Sequence, residues 1–212
     1  MKLVAKTLMM AALFGGAVNL AQAAGDATAG QAKAAVCGAC HGADGNSMVP
    51  NFPKLAGQGQ AYLVKQMQDI KSGARQVPEM AGITPGLSDQ DMADLAAYYA
   101  GQKAQVGAAD PALVELGQKL YRGGSAEAGV TACAACHGAN GLGMPEAGFP
   151  ALSGQHATYI ETQLKAFRAA GREDAEGKRR TNDGESKMMQ APAARLSDND
   201  IKALSSYLNG LH

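Results

Sequence analysis

The 212-residue sequence predicts an all-α protein built as two similar small domains in tandem. Apolar residues recur at helical spacing after recognisable cap residues. No run alternates apolar and polar residues long enough to argue for a strand. Three blocks of residues also occur twice in the same order, the mark of an internal repeat.

The first 23 residues read as a secretory leader preceding both domains. Lys2 and Lys6 are its positive end, Leu8 to Leu20 its apolar stretch, and Ala21-Gln22-Ala23 its small-x-small cleavage site. The apolar stretch is shorter than the roughly 20 residues a spanning helix needs. Cleavage after Ala23 and export are therefore expected, and no later stretch is apolar enough to span a membrane.

The first domain is assigned to 24–107 and the second to 108–212. Phe52-Pro53-x-Leu55-x-Gly57-Gln58-x-x-x-Tyr62-x-x-x-Gln66 returns as Phe149-Pro150-x-Leu152-x-Gly154-Gln155-x-x-x-Tyr159-x-x-x-Gln163. Tyr62 to Ile70 and Tyr159 to Phe167 read as middle helices. Leu87-Ser88-Asp89-x-Asp91 returns as Leu196-Ser197-Asp198-x-Asp200. Ser88 and Ser197 are N-caps with an aspartate three residues on, a capping box with Asp in place of Glu. Behind them, Met92, Leu95, Ala96 and Tyr99, and Ile201, Leu204 and Leu208, fall on one helix face. Gly107 and Asp110-Pro111 break the chain between the halves, and Pro111 starts the next helix, with Leu113, Leu116, Leu120 and Tyr121 at helical spacing.

Without Lys2 and Lys6, 17 basic side chains face 19 acidic ones, and neither half is basic. That argues against nucleic acid or an anionic lipid surface as the principal partner. Aromatic residues make up 5% of the chain and Trp is absent, so two cores of this size would be thin without a large apolar cofactor.

All four cysteines belong to two copies of one motif, Cys37-Gly38-Ala39-Cys40-His41 and Cys133-Ala134-Ala135-Cys136-His137. Cys-x-x-Cys-His is the pattern of covalent haem attachment. Its two thiols add to the two vinyl groups on one porphyrin edge, and the following His then lies under the iron. Three other readings compete. A thioredoxin-like pair would want a βαβ context, and a shared zinc site would put the second pair about 15–20 residues from the first. Two short disulfides fit an oxidising compartment but leave both histidines without a role.

With His41 and His137 each beneath an iron, a second axial ligand is needed for each. The other histidines, His156 and His212, do not recur in both halves. Among ten methionines, Met80 lies seven residues before Leu87 and Met189 seven before Leu196. Met48 and Met144 also match each other, each seven residues after its motif His, but are too near it to reach the opposite ring face. The candidate metal ligands are thus His41, Met80, His137 and Met189, and the candidate attachment residues Cys37, Cys40, Cys133 and Cys136.

On these residues, with Ala24-Gly25-Asp26, Asn51 to Gln58, Gly148 to Tyr159 and Thr181-Asn182-Asp183-Gly184, the chain resembles class I cytochromes c domain by domain. Across nearly all of the sequence after residue 23 it is similar to the cytochrome c4 family. The resemblance implies two class I cytochrome c domains, each wrapped around one covalent haem c, with His/Met ligation of both irons. It also implies an electron carrier rather than an enzyme. Its setting would be the periplasm, sometimes with peripheral membrane association, and its partners a quinol-oxidising complex and a terminal haem–copper oxidase. Pro53 and Pro150 follow the motif histidines by 12 and 13 residues, and their carbonyls could accept the second imidazole N–H. Shaping a turn is the competing role for each proline, and the resemblance favours the carbonyl. The charged stretch Arg172 to Arg180 looks longer than the family's usual loop and reads as solvated.

A dihaem peroxidase is the rival from another class. It would need an open iron and unlike haems, whereas the two halves here offer the same ligands in the same register. A cytochrome subunit serving a dehydrogenase would share the chemistry and differ in its partner.

Overall fold

The computed structural model describes residues 24–172 and 177–212. The leader expected at 1–23 lies outside them. The described residues form helices and loops, with two isolated bridges, Ser125 with Val130 and Met144 with Phe149, and no extended strand. In the first half α1 (Ala27–Lys33), α2 (Ala35–His41), α3 (Gln60–Ser72) and α4 (Asp89–Ala100) follow one another. Short 3₁₀ turns at Pro78–Met80 and Thr84–Gly86 lead from α3 to α4. The second half repeats the order with α5 (Pro111–Gly123), α6 (Ala134–His137), α7 (Ala157–Gly171), α8 (Gln190–Ala193) and α9 (Asp198–Gly210), adding a 3₁₀ turn at Pro145–Ala147.

Local chemistry sets the helix starts. Ser88 Oγ accepts from the N–H of Asp91 at 3.1 Å while the Asp91 carboxylate accepts from the N–H of Ser88 at 2.9 Å. Ser197 and Asp200 make the same reciprocal pair at 3.1 and 2.9 Å. Both capping boxes stand where the sequence puts them. Pro111 takes the first position of α5, where a missing N–H costs nothing, and Asp110 caps it by accepting from Ala112 N at 3.0 Å. The stretch between α4 and α5 carries no regular structure beyond a turn at its start.

The first and last helices of each half cross at a glycine. A Cβ on Gly30 of α1 would stand 2.0 Å from the Asp94 carbonyl oxygen of α4, and one on Gly117 of α5 would stand 2.4 Å from that of Ala203 in α9. Backbone therefore meets backbone at both crossings. Each half has its own core. Ala34, Leu63, Leu95, Ala96 and Tyr99 bury one, and Leu120, Tyr121, Ile160, Leu196, Ile201, Leu204, Tyr207 and Leu208 the other. Each core reaches one motif cysteine, Cys37 in the first half and Cys133 in the second. Among the described residues no helix is long and apolar enough to cross a membrane.

Candidate functional site

Each motif lies on a short helix stopped directly after its histidine. Gly42 and Gly138 follow with φ of 80° and 78°, a region that side chains other than glycine's rarely adopt. The helical turn places the two cysteines of each pair on one side and presents the histidine beyond them.

The histidines are oriented identically. His41 Nδ1 donates to the Pro53 carbonyl at 2.8 Å, and His137 Nδ1 donates to the Pro150 carbonyl at 2.9 Å. Both rings are buried and each meets a phenylalanine edge-on, Phe52 and Phe149, with ring centroids 6.2 Å apart. Burial pushes both imidazole pKa values down, and the carbonyl hydrogen bond opposes it. A neutral ring that donates from Nδ1 keeps its lone pair on Nε2, the form a metal requires. The two prolines thus do what the resemblance favoured.

One continuous cavity of 1290 Å³ runs between the halves, lined by Cys37, Cys40, His41 and Met80 from the first and by Cys133, Cys136, His137, Met188 and Met189 from the second. All eight candidate residues therefore share its wall. Met80 ends a 3₁₀ turn and Met189 is the N-cap residue of α8, both half-buried. Met188 is 53% exposed and Met48 88% exposed. Met48 and Met144 stand outside the cavity wall.

The competing motif readings lose their physical support. The four cysteines are unpaired, so no disulfide joins either pair. Burial pushes the Cys37 thiol up and the Cys133 thiol up to about 11, opposite to the lowered values of redox-active pairs. Among the described residues no group of three or more His, Cys, Asp or Glu side chains is placed to hold a metal ion by itself. Paired thiols, a neutral imidazole lone pair and a large wall rich in apolar side chains fit a covalently held haem in each half.

The residues that sequence reasoning quoted as repeated but left without a role form the seam between the halves. Gln58 and Gln155 each reach across to the opposite backbone. Arg75 donates to Gln66 at 2.8 Å, Tyr159 at 2.9 Å and Gln163 at 3.1 Å. Arg180 donates to Gln66 at 2.9 Å, Gln163 at 2.9 Å and Tyr62 at 3.1 Å. The solvated loop expected over Arg172 to Arg180 is exposed at Arg172 and at 177–179, and the expectation fails at Arg180. Arg180 is 8% exposed, and Arg172 donates to the carbonyls of Ala194 at 2.8 Å and Leu196 at 3.1 Å. His156, unmatched in the first half, donates from Nε2 to the Ser47 carbonyl at 2.8 Å and so belongs to the seam. Asp183 was also missed. Its carboxylate accepts from the N–H groups of Met189 at 2.8 Å and Gln190 at 2.9 Å, pinning the backbone of the candidate ligand. Recurrence of polar residues was the one signal for the glutamines, and Asp183 was marked only as part of the Thr181-Asn182-Asp183-Gly184 stretch that carries the resemblance.

Known proteins bear on this geometry directly. The cytochrome c family model matches residues 27–102 and 114–212. The chain is 60% identical over 207 residues to cytochrome c4 of Pseudomonas aeruginosa, covering 98% of this chain and 99% of that one. It is 38% identical over 179 residues to a thiosulfate dehydrogenase electron acceptor of Stutzerimonas stutzeri, covering 82% of this chain and 78% of that one. The crystal structure of reduced recombinant cytochrome c4 from Pseudomonas stutzeri superimposes with a TM-score of 0.84 at 56% identity, covering 89% of this chain and all of that one. With two matching domains, two identical buried motifs and relatives of this closeness, the chain belongs to the cytochrome c4 family, electron-transfer cytochromes c with two covalently held haem c groups.

Proposed function

We propose that the protein is a periplasmic carrier that takes electrons from a quinol-oxidising complex and delivers them to a terminal haem–copper oxidase, without itself transforming a substrate. Residues 1–23 form the leader that exports it, and 24–107 and 108–212 are the two cytochrome domains. Cys37 and Cys40, and Cys133 and Cys136, hold the haems. His41 and Met80 would hold the first iron, and His137 and Met189 the second. When bound, each haem supplies a one-electron couple between ferric and ferrous iron.

The observation that carries this reading is the matched pair of neutral histidines, each held by a proline carbonyl, opening onto one shared cavity. A thioether opposite imidazole raises the potential above that of a bis-His centre, suiting a place late in a respiratory chain. With a histidine and a methionine on each iron, neither would offer a peroxide a coordination position. The mature protein should carry two haems that resist acid–acetone extraction, and the ferrous form should bind little carbon monoxide. Respiratory membranes should reduce the ferric protein with quinol and oxidise the ferrous protein through an oxidase. Fewer than two covalent haems, or rapid carbon monoxide binding at both, would overturn the reading.

The relative described as a thiosulfate dehydrogenase electron acceptor favours one second donor. Reduction by a thiosulfate-oxidising extract, and none by quinol-reduced membranes, would select it.

A further inference from the structure

Each axial histidine ends on a peptide group that is held from the other half of the molecule. The Pro53 carbonyl that accepts from His41 belongs to the same peptide unit as the Lys54 N–H, and that N–H donates to Gln155 Oε1 at 2.9 Å. Gln155 Nε2 donates back to the Lys54 carbonyl at 2.9 Å. In the mirror arrangement the Pro150 carbonyl accepts from His137, the Ala151 N–H of the same unit donates to Gln58 Oε1 at 2.8 Å, and Gln58 Nε2 donates to the Ala151 carbonyl at 3.0 Å.

Both carboxamides are fully placed. Gln58 is 6% exposed and Gln155 8%. Each oxygen accepts a second N–H, from Gly59 at 2.9 Å and from His156 at 3.1 Å. Two N–H donors on one atom identify it as the oxygen, because an amide nitrogen there would face both with its own hydrogens.

We propose that Gln58 and Gln155 are positioning residues that tune the opposite half's iron, each acting through one peptide group on the axial histidine. The proposal rests on His41 and His137 being the ligands. Accepting the peptide N–H polarises the amide and makes its carbonyl a stronger acceptor. The carbonyl then draws the Nδ1 proton further from the ring, and the imidazole becomes a more basic ligand. A more basic imidazole favours ferric iron and lowers the potential. Gln155 thus lowers the first domain's potential and Gln58 the second's, with each domain's reduction level set partly by whether the seam is closed.

The test uses the intact holoprotein, with each haem followed separately by nuclear magnetic resonance during a redox titration. Gln155→Met should raise the first domain's reduced-to-oxidised ratio at fixed ambient potential about two- to threefold, as expected for losing one cooperative hydrogen bond, and leave the second unchanged. Gln58→Met should do the reverse. In the diamagnetic ferrous protein the His41 Nδ1 proton should move upfield only in Gln155→Met. Shifts in the mutated residue's own domain, equal shifts in both, or none would reduce the glutamines to a mechanical role and overturn the proposal. Should a methionine variant not fold, the isosteric Gln155→Glu at alkaline pH supplies a stronger, ionised acceptor to Lys54 N–H. The first domain's ratio must then fall with the second unmoved, and any other pattern is equally fatal. A wild-type protein without the methionine–iron charge-transfer band, or one in which His41 and His137 do not bind iron, would instead show that the ligand assignment had failed.

Discussion

Arg180, carried by the second half, donates to Gln66 Oε1 of the first half across a buried contact of 2.9 Å. The same guanidinium reaches Asn182 Oδ1 at 2.9 Å and lies 4.5 Å above the Phe167 ring. Such a cation is worth keeping buried only when its donors are satisfied, and four side chains from both halves satisfy them. Arg180→Met should therefore destabilise the protein by about 2–4 kcal/mol, since it strips several charge-assisted hydrogen bonds from buried partners. Lys178→Met, two residues away and exposed, should stay within about 0.5 kcal/mol. Chemical denaturation of both variants decides. Equal midpoints would mean the seam does not depend on Arg180.

The glycine crossings make a paired prediction. A Cβ at position 30 would also stand 2.9 Å from Tyr98 Cβ, and one at 117 would stand 2.5 Å from Tyr207 Cβ. Gly30→Ala and Gly117→Ala must each push two helix backbones apart, costing about 1–3 kcal/mol as overpacking does. Gly73→Ala is a useful contrast. Nothing stands within 4 Å of its Cβ, but its φ of 82° makes the cost one of backbone strain. Thermal melts should show the first two variants losing helix packing, with the haem band shifting in the same transition.

Asp94 gives the first half an acid-sensitive contact at a position where the second half has no carboxylate. Its buried carboxylate accepts from Lys33 at 2.7 Å, from the Asp26 N–H at 2.9 Å and from Gln90 at 2.8 Å. These bonds, the Lys33 ammonium foremost, hold its pKa at about 2, below the ordinary 3.8. A depressed carboxylate contributes stability that is complete above the unfolded value and disappears as pH falls through the folded one. The stabilisation should thus be lost between about pH 4 and pH 2. Asp94→Asn should lower Tm at neutral pH and flatten that acid limb. The matching position in the second half is Ala203, so residual haem-band loss in the variant should come from other groups. An unchanged acid limb would dismiss Asp94 as its source.

Met188 and Met189 are neighbours, and Met189 is the proposed ligand of the second iron. Met189 keeps the seven-residue offset to Leu196, and its N–H is fixed by Asp183 at 2.8 Å. Met188 is the more exposed. Met189→Ala should open one iron to carbon monoxide and lower its potential, while Met188→Ala should keep both closed. An exchange of these phenotypes would make Met188 the ligand. Asp183→Ala should weaken the Met189–iron signature without abolishing it, because the thioether remains and only its backbone anchor is lost.

What could be read from the sequence alone was whatever is encoded over a few residues or repeated. Cys-x-x-Cys-His names its cofactor because attachment chemistry demands that spacing. Ser88 with Asp91 and Ser197 with Asp200 announce their helices because a capping box closes within one turn. Met80 and Met189 stood out because a rigid capped helix follows each at a constant distance. The roles of Gln58, Gln155, Arg75 and Arg180 could not be read this way. Their hydrogen-bond partners lie as far as 118 residues away, and a polar side chain carries no mark of which distant backbone will satisfy it. Gly30 and Gly117 were silent for the same reason, since a missing Cβ has meaning only once another helix crosses there. The sequence by itself determined two haem-binding helical domains. Only the tertiary structure decided that they close onto one cavity and hold each other's histidine through a shared peptide, because burial is what forces each of those polar groups to find its partner in the other half.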